Sequence, residues 1–211
     1  QDYHKNKMFK AKEIEGELKY AVRRQEETIY HRQLKMTSPA LNRFRDLVLY
    51  NLEAGQAVLT DNNDIRIYTD GKEKFHALIE EMKRAKKYIH VQYYIIRNDE
   101  VWQDIEKVLI EKAHEGVEVR VLFDSMGCRT MHKRDWDRLK CEGIRVAEFF
   151  PAILGQLQMR VNYRNHRKIV VIDGKVGFVG GFNVGREYIG KDEKFGYWRD
   201  THLCIEGAAV T

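Results

Sequence analysis

The residues best equipped for chemistry lie between Asn165 and Asn183, in the run NHRKIVVIDGKVGFVGGFN. His166 and Lys168 stand two positions apart at the head of an Ile/Val-rich segment that reads as a β-strand, so both side chains leave the same face. An imidazole beside an ammonium suits a phosphate ester. The ammonium neutralises non-bridging oxygens, while the imidazole attacks phosphorus or moves a proton. Asp173-Gly174 then forms a tight turn, and the next strand ends in Gly180-Gly181, where missing side chains let the backbone approach a ligand. Asn183 follows as a second phosphate donor. In a chain of this composition, His-x-Lys-x-x-x-x-Asp arises by chance in roughly a few sequences per hundred, and Gly-Gly at the fixed offset lowers that to roughly a few per ten thousand. A merely polar histidine on a strand is therefore the weaker reading.

Such a pair needs a rigid frame, and the pattern from residue 56 onward predicts one. Ala57–Thr60 and Ile65–Tyr68 read as a hairpin about the turn Asp61-Asn62-Asn63. Asp70-Gly71 opens a helix with Phe75, Leu78, Ile79 and Met82 on its apolar face. A strand over Tyr88–Ile96, a helix over 99–114, a strand over Val117–Phe123, a helix around Trp136 and Leu139, and a strand over Ile144–Phe149 follow in turn. This alternation implies a largely parallel sheet covered on both faces. After residue 160 only short strands remain, at Arg167–Ile172, Lys175–Val179 and Thr201–Ile205. Residues 1–55 differ in texture. They are charged and helix-prone, with Ile14, Leu18, Val22 and Ile29 on one face, a Ser38-Pro39 cap, then Leu41, Phe44, Val48 and Leu52 before a stop at Gly55. We expect a helical extension over 1–55 and a catalytic domain over 56–211.

Composition narrows the classes. The 211 residues hold only 2 prolines, so a loop-dominated or disordered chain is excluded. A net charge of +5 favours anionic partners such as phosphates, acidic lipids or nucleic acid. Cys128, Cys141 and Cys204 are too few and too scattered for a disulfide framework or a CxxC metal pair, and read as core packing in a reduced compartment. No apolar run approaches the roughly 18 residues that cross a bilayer, and no signal-peptide pattern opens the sequence. A first residue that is glutamine leads us to expect chain upstream.

From about residue 58 onward the sequence resembles the phospholipase D superfamily, and within it the bacterial cardiolipin synthase branch. The resemblance rests on Asn162-Tyr163-Arg164-Asn165-His166-Arg167-Lys168, on Gly180-Gly181-Phe182-Asn183, on Tyr197-Trp198-Arg199-Asp200-Thr201-His202, on Thr69-Asp70-Gly71 with the helix that follows, and on the Ile89–Ile96 strand with its paired tyrosines at 93 and 94. It implies an α/β fold with a mixed sheet between helices on both faces, and a reaction that uses no metal and no cofactor. In that family two His-x-Lys motifs meet about a pseudo-twofold axis. One histidine forms a phosphohistidine and the other protonates the leaving group. This sequence holds one motif, so the second is expected from a C-terminal half of the same enzyme or from a second copy of the chain.

The resemblance further implies roles for single residues. His166 is nucleophile or acid, and which of the two stays open. Lys168 binds phosphate, with Asn183, Gly180 and Gly181 beside it. Asp200, downstream of the paired glycines, is expected to hold the second imidazole nitrogen of His166. Asp173 belongs to the catalytic motif, although its place at a turn argues that it secures the strand connection. His90 reads as a packed histidine, His202 as a structural one near Asp200, and Asp124, ending a parallel strand, as a pocket residue. The implied activity condenses two phosphatidylglycerol molecules to cardiolipin and glycerol at the cytoplasmic side of the cell membrane. Its alternative is a homodimeric phosphodiesterase or nuclease. An intact His–Lys pair argues against a module that only binds anions, and no nucleic-acid partner is expected for the lipid enzyme.

Overall fold

The computed structural model describes residues 16, 18–27, 42–149 and 164–210. Ile14, Ile29, Leu41 and the Ser38-Pro39 cap lie outside them, as do Asn162 and Tyr163. The chain divides into two compact units between Asn62 and Asn63. Among the described residues no helix is long and apolar enough to cross a membrane.

In the first unit, α1 (18–27) and α2 (Arg45–Gly55) enclose a small core of Val22 and Leu52, with Val48, Leu49 and Val58 packed against it. Gly55 ends α2 as expected: it is the last helical residue, and Gln56 takes the left-handed cap at φ 50°. Residues 57–60 do not form the expected first arm of a hairpin. The Gln25 side-chain amide donates to the Leu59 carbonyl at 2.9 Å and accepts from the Leu59 N–H at 2.7 Å, satisfying groups that a strand ladder would otherwise need.

The second unit is built on seven strands. They are β1 (Asn63–Tyr68), β2 (Tyr88–Tyr93), β3 (Glu118–Asp124), β4 (Arg145–Phe149), β5 (Ile169–Ile172), β6 (Val176–Gly180) and β7 (His202–Gly207). Their order in the sheet is β1-β7-β6-β5-β2-β3-β4. Only β2–β3 and β3–β4 pair in parallel, so the sheet is mixed and not largely parallel. Chain economy explains the switch. The helices α4 (Glu100–His114) and α5 (Lys133–Cys141) provide the crossovers that parallel neighbours require, whereas the three residues between β5 and β6 permit only a hairpin. β1 takes β7 as its antiparallel partner, 134 positions away at Tyr68↔His202 (202 − 68).

Capping sets where the helices begin. Asp70 accepts from the N–H groups of Lys72 and Glu73 to start α3 (Gly71–Arg84), and Asp99 accepts from Val101 and Trp102 to start α4. Such a cap is worth about 1 kcal/mol. Ladder partners share a face, and Ile89, Val91, Tyr93, Val121, Phe123, Val170, Ile172 and Phe178 line the buried one. Helices α3, α4 and α5 reach this same face: Lys74 meets Tyr93, and Trp136 stacks on Phe123 at 4.0 Å with Trp102 edge-on to it at 6.1 Å. On the opposite face the short turn Ala208–Val210 packs at Gly177, and Ile65 and Ile67 there are 52% and 66% exposed.

The cysteines are free. Cys128 and Cys204 are buried, but Cys141, at the end of α5, is exposed and packs no core.

Asp173 holds the frame together at the β5–β6 turn. Its carboxylate accepts from the backbone N–H groups of Lys86 (2.8 Å), Lys87 (2.7 Å) and Tyr88 (2.9 Å), and its backbone sits at φ 55°. Burial raises its carboxyl, but the three backbone donors together outweigh it and hold the group below the usual aspartate range. The stability it contributes is therefore present above the unfolded-state value near about pH 4 and lost as pH falls through the lower folded value. Asp173→Ala should lower stability by about 2 kcal/mol at neutral pH. The deficit, read from denaturant melts of both proteins, should shrink below about pH 4.

Candidate active site

Strand β5 runs through the middle of the sheet, between β2 and β6, and Lys168 stands one step before it. Continuing the ladders by that step places Lys168 opposite Tyr93 on one side and Gly180 on the other, where the Gly180 N–H meets the Lys168 carbonyl at 3.4 Å. The side chain is 4% exposed, whereas His166, two residues earlier, projects beyond the sheet into solvent.

The Lys168 ammonium donates to the His166 carbonyl at 2.9 Å and lies 3.0 and 3.1 Å from the two ring nitrogens. An in-plane donor that near both nitrogens would overlap the ring carbon between them, so the ammonium lies across the imidazole face and neither in-plane lone pair is taken. Tyr94 completes the contact. Its ring centroid is 4.6 Å from that of His166, and the ammonium is 5.4 Å from its centre. Burial and then the Lys168 charge push His166 below its ordinary value, with Asp124 opposing them. Burial pushes Lys168 down to about 8, while Asp200 pulls it upward. Near neutral pH the site thus presents a neutral imidazole beside an ammonium.

Not every expected residue meets this pair in the expected way. No bond joins Asp200 to the His166 ring. Asp200 accepts from its neighbour Thr201 at 2.7 Å and lies against Gly181, where a Cβ would come within 1.9 Å of its Oδ1. Its charge acts on Lys168. The carboxylate whose charge acts on His166 is Asp124, at the end of β3, which also accepts from the Asn165 N–H at 3.1 Å. Gly180 and Gly181 admit the chain's own β7: a Cβ on Gly180 would lie 2.4 Å from the Thr201 carbonyl oxygen and 2.7 Å from His202 Cγ. Asn183 is buried, accepting from the Ile95 N–H at 3.0 Å and donating to the Tyr188 hydroxyl at 2.9 Å. One amide hydrogen is left to offer an anion. Asp173 spends its carboxylate on residues 86–88 and serves the site by fixing the end of β5.

Among the remaining histidines, His90 stacks on Tyr88 and lies 3.3 Å from Glu118, away from the site. His202 is fully buried behind Gly180. Tyr94 and Lys74 are additions to the residues singled out from sequence. The paired tyrosines at 93–94 were legible as strand residues, but which of them faces the histidine is set by where β2 ends. Past Asp124, a cleft of about 390 Å³ is lined by the aromatics Phe123 and Trp136 and by Arg129, Lys133 and Lys140, three cations that outnumber the single carboxylate of Glu148. Among the described residues no group of three His, Cys, Asp or Glu side chains is placed to hold a metal ion.

Residues 78–196 match the family model described as "Cardiolipin synthase, PLD-like domain". A curated cardiolipin synthase from Oceanobacillus iheyensis is 47% identical over 92% of this chain and 40% of its own length. One from Staphylococcus aureus strain Mu50 is 52% identical over 80% of this chain and 34% of its own. The chain thus spans between a third and two fifths of the length of these curated relatives. In fold it is similar to NucT from Helicobacter pylori, with a TM-score of 0.52 at 16% identity over 70% of this chain and 87% of that one. It is also similar to phosphatidylserine synthase from Haemophilus influenzae, with a TM-score of 0.51 at 20% identity over 68% of this chain and 33% of that one. A match over more than half its residues, on the sheet that carries the His166–Lys168 pair, means that this chain belongs to the phospholipase-D-like domain family of the cardiolipin synthases.

Proposed function

We propose that this chain is one catalytic half of a phosphatidyltransferase that converts two phosphatidylglycerol molecules into cardiolipin and glycerol. The observation that carries the reading is the Lys168 ammonium 3.0 Å from an exposed, neutral His166 imidazole, a phosphate clamp beside a nucleophile or proton carrier. The curated relatives support the lipid substrate. So does the cleft past Asp124, whose aromatics and excess of cations suit an anionic amphiphile.

The reaction has two displacements. First, an imidazole nitrogen attacks phosphorus, the P–O bond to the glycerol headgroup breaks, and an acid on the far side protonates the departing oxygen. The phosphatidyl group is then held by a P–N bond. Next, a headgroup hydroxyl of the second phosphatidylglycerol attacks phosphorus, gives its proton to the former acid, and the P–N bond breaks. Lys168 holds the non-bridging oxygens throughout, and positioned charge of this kind accounts for most of phosphoryl-transfer catalysis. His166 takes one of the two histidine roles. It cannot take both, because attacking and leaving groups lie on opposite sides of phosphorus. His166 is the one histidine of the sequence with a lysine two residues on, so the second comes from another part of the enzyme or from a second copy. The same reading places the domain at the cytoplasmic face of the cell membrane, with residues 1–55 next to the bilayer.

Incubating the complete enzyme with phosphatidylglycerol or with single-stranded DNA is the direct test. Cardiolipin and glycerol are the expected products; DNA cleavage without lipid turnover would replace this reading with the nuclease. His166→Ala should lower transfer by about two or more orders of magnitude, and near-normal turnover in that variant would end the proposal. The pH profile of kcat/KM carries a separate expectation. Attack needs the neutral imidazole, whose lowered value puts the acid limb below that of free histidine, and phosphate binding needs the Lys168 ammonium, which is lost as pH rises through about 8. A basic limb near about pH 10, the ordinary lysine range, would show that Lys168 is not the titrating cation.

A further inference from the structure

Behind Lys168 two more basic side chains are buried that the phosphoryl chemistry does not use. Lys74, on α3, is 0% exposed. Its ammonium donates to the Tyr93 hydroxyl at 2.8 Å and lies 3.8 Å from the centre of the Phe75 ring. Among the described residues no carboxylate pairs with it, and burial alone pushes it well below the ordinary lysine range. His202, on β7, is equally buried, and neither ring nitrogen has a hydrogen-bond partner among the described residues. Replacing buried polar groups that lack an ion-pair partner by apolar ones of similar volume is often neutral or stabilising, so neither residue is required to hold the fold together.

Their position says what they serve. His202 is the ladder partner of Gly180, and the next positions across the sheet are Lys168 and then Tyr93. All four positions share the helix-covered face. Gly180 contributes no side chain, and a Cβ there would lie 2.7 Å from His202 Cγ, so the imidazole fills the gap next to Lys168. Lys74 closes the row from above through Tyr93. Burial, then the charges of Lys74 and Lys168, push His202 down to about 2, which leaves a neutral ring on one side of Lys168 while Tyr93 and Lys74 stand on the other. The carboxylate whose charge reaches Lys168 is Asp200. The row is thus short of negative charge, and an anion held by Lys168 supplies it.

We propose that Lys74 and His202 are positioning residues of the phosphate site: the Tyr93–Lys74 pair on one side and the neutral His202 ring behind Gly180 on the other flank Lys168 and set the place of its ammonium. Phosphate affinity then depends on both. The inference rests on Lys168 being the phosphate-binding residue.

The test is a titration of inorganic phosphate against this chain and its Lys168→Met, Lys74→Met and His202→Phe variants, with affinity read by phosphorus NMR and stability by thermal melting. Lys74→Met and His202→Phe should melt at or above the wild-type temperature yet bind phosphate about tenfold or more weakly. A structural role alone would lower the melting temperature and leave affinity unchanged, and that result overturns the proposal. So does wild-type affinity in either folded variant. Tyr93→Phe removes the acceptor of Lys74 and keeps the ring, and it decides the matter if Lys74→Met does not fold: weakened binding supports the proposal, unchanged binding overturns it. Wild-type binding in Lys168→Met, or none in the wild type, instead overturns the phosphate-site reading itself.

Discussion

The ammonium of Lys168 is buried at the head of the central strand β5, and a charge there is tolerated only where neighbours compensate for lost water. The compensation is assembled from all sides of the sheet. The His166 carbonyl accepts one proton, the faces of His166 and Tyr94 lie against the charge, and Asp200 stabilises it from beyond β7. It is incomplete, since Lys168 still falls to about 8. A lysine that lacks one negative neighbour is suited to receive a phosphate oxygen, and the mixed sheet is what brings these neighbours to it.

Antiparallel pairing on both sides of β5 sets the distances. Tyr93 arrives from β2, Gly180 from β6, and behind Gly180 comes β7 with Asp200, Thr201 and His202. The two glycines act here by letting β7 close in. A side chain at either would collide with Thr201, His202 or Asp200. Asp173 anchors the far end of β5 through three backbone N–H groups, so a shift of that strand would break bonds at one end and misplace the ammonium at the other.

The face behind the site runs against the fold's own interest. A lysine and a histidine occupy it without ion-pair partners among the described residues, and polar groups buried without full compensation cost free energy. Proteins retain such groups where function outweighs stability. The aromatic stack of Phe123, Trp136 and Trp102 on the same face offsets part of that penalty, each ring burying a large apolar area.

Much of this was legible in the residues themselves because it is local. The spacing of His166 and Lys168 puts both on one face of one strand, Asp70 and Asp99 stand immediately before the helices they cap, and Asp173-Gly174 can only be a turn. Alternation of strand and helix from Tyr88 to Phe149 gave the parallel half. What local spacing could not contain was the pairing of distant segments. Ile65–Tyr68 reads equally well against Ala57–Thr60 or against a strand 134 positions on, and Gln25 and β7 made the choice. The same holds for the carboxylates. Asp200 and Asp124 are equally distant from any periodicity argument about His166, and only the order of strands puts Asp124 at the imidazole and Asp200 at the ammonium. Lys74 looks like a surface lysine on an amphipathic helix until α3 packs on the sheet and leaves the Tyr93 hydroxyl as its hydrogen-bond partner. Side-chain type and strand period determine which chemistry a segment can carry; register and packing between remote strands decide which groups share the space where it happens.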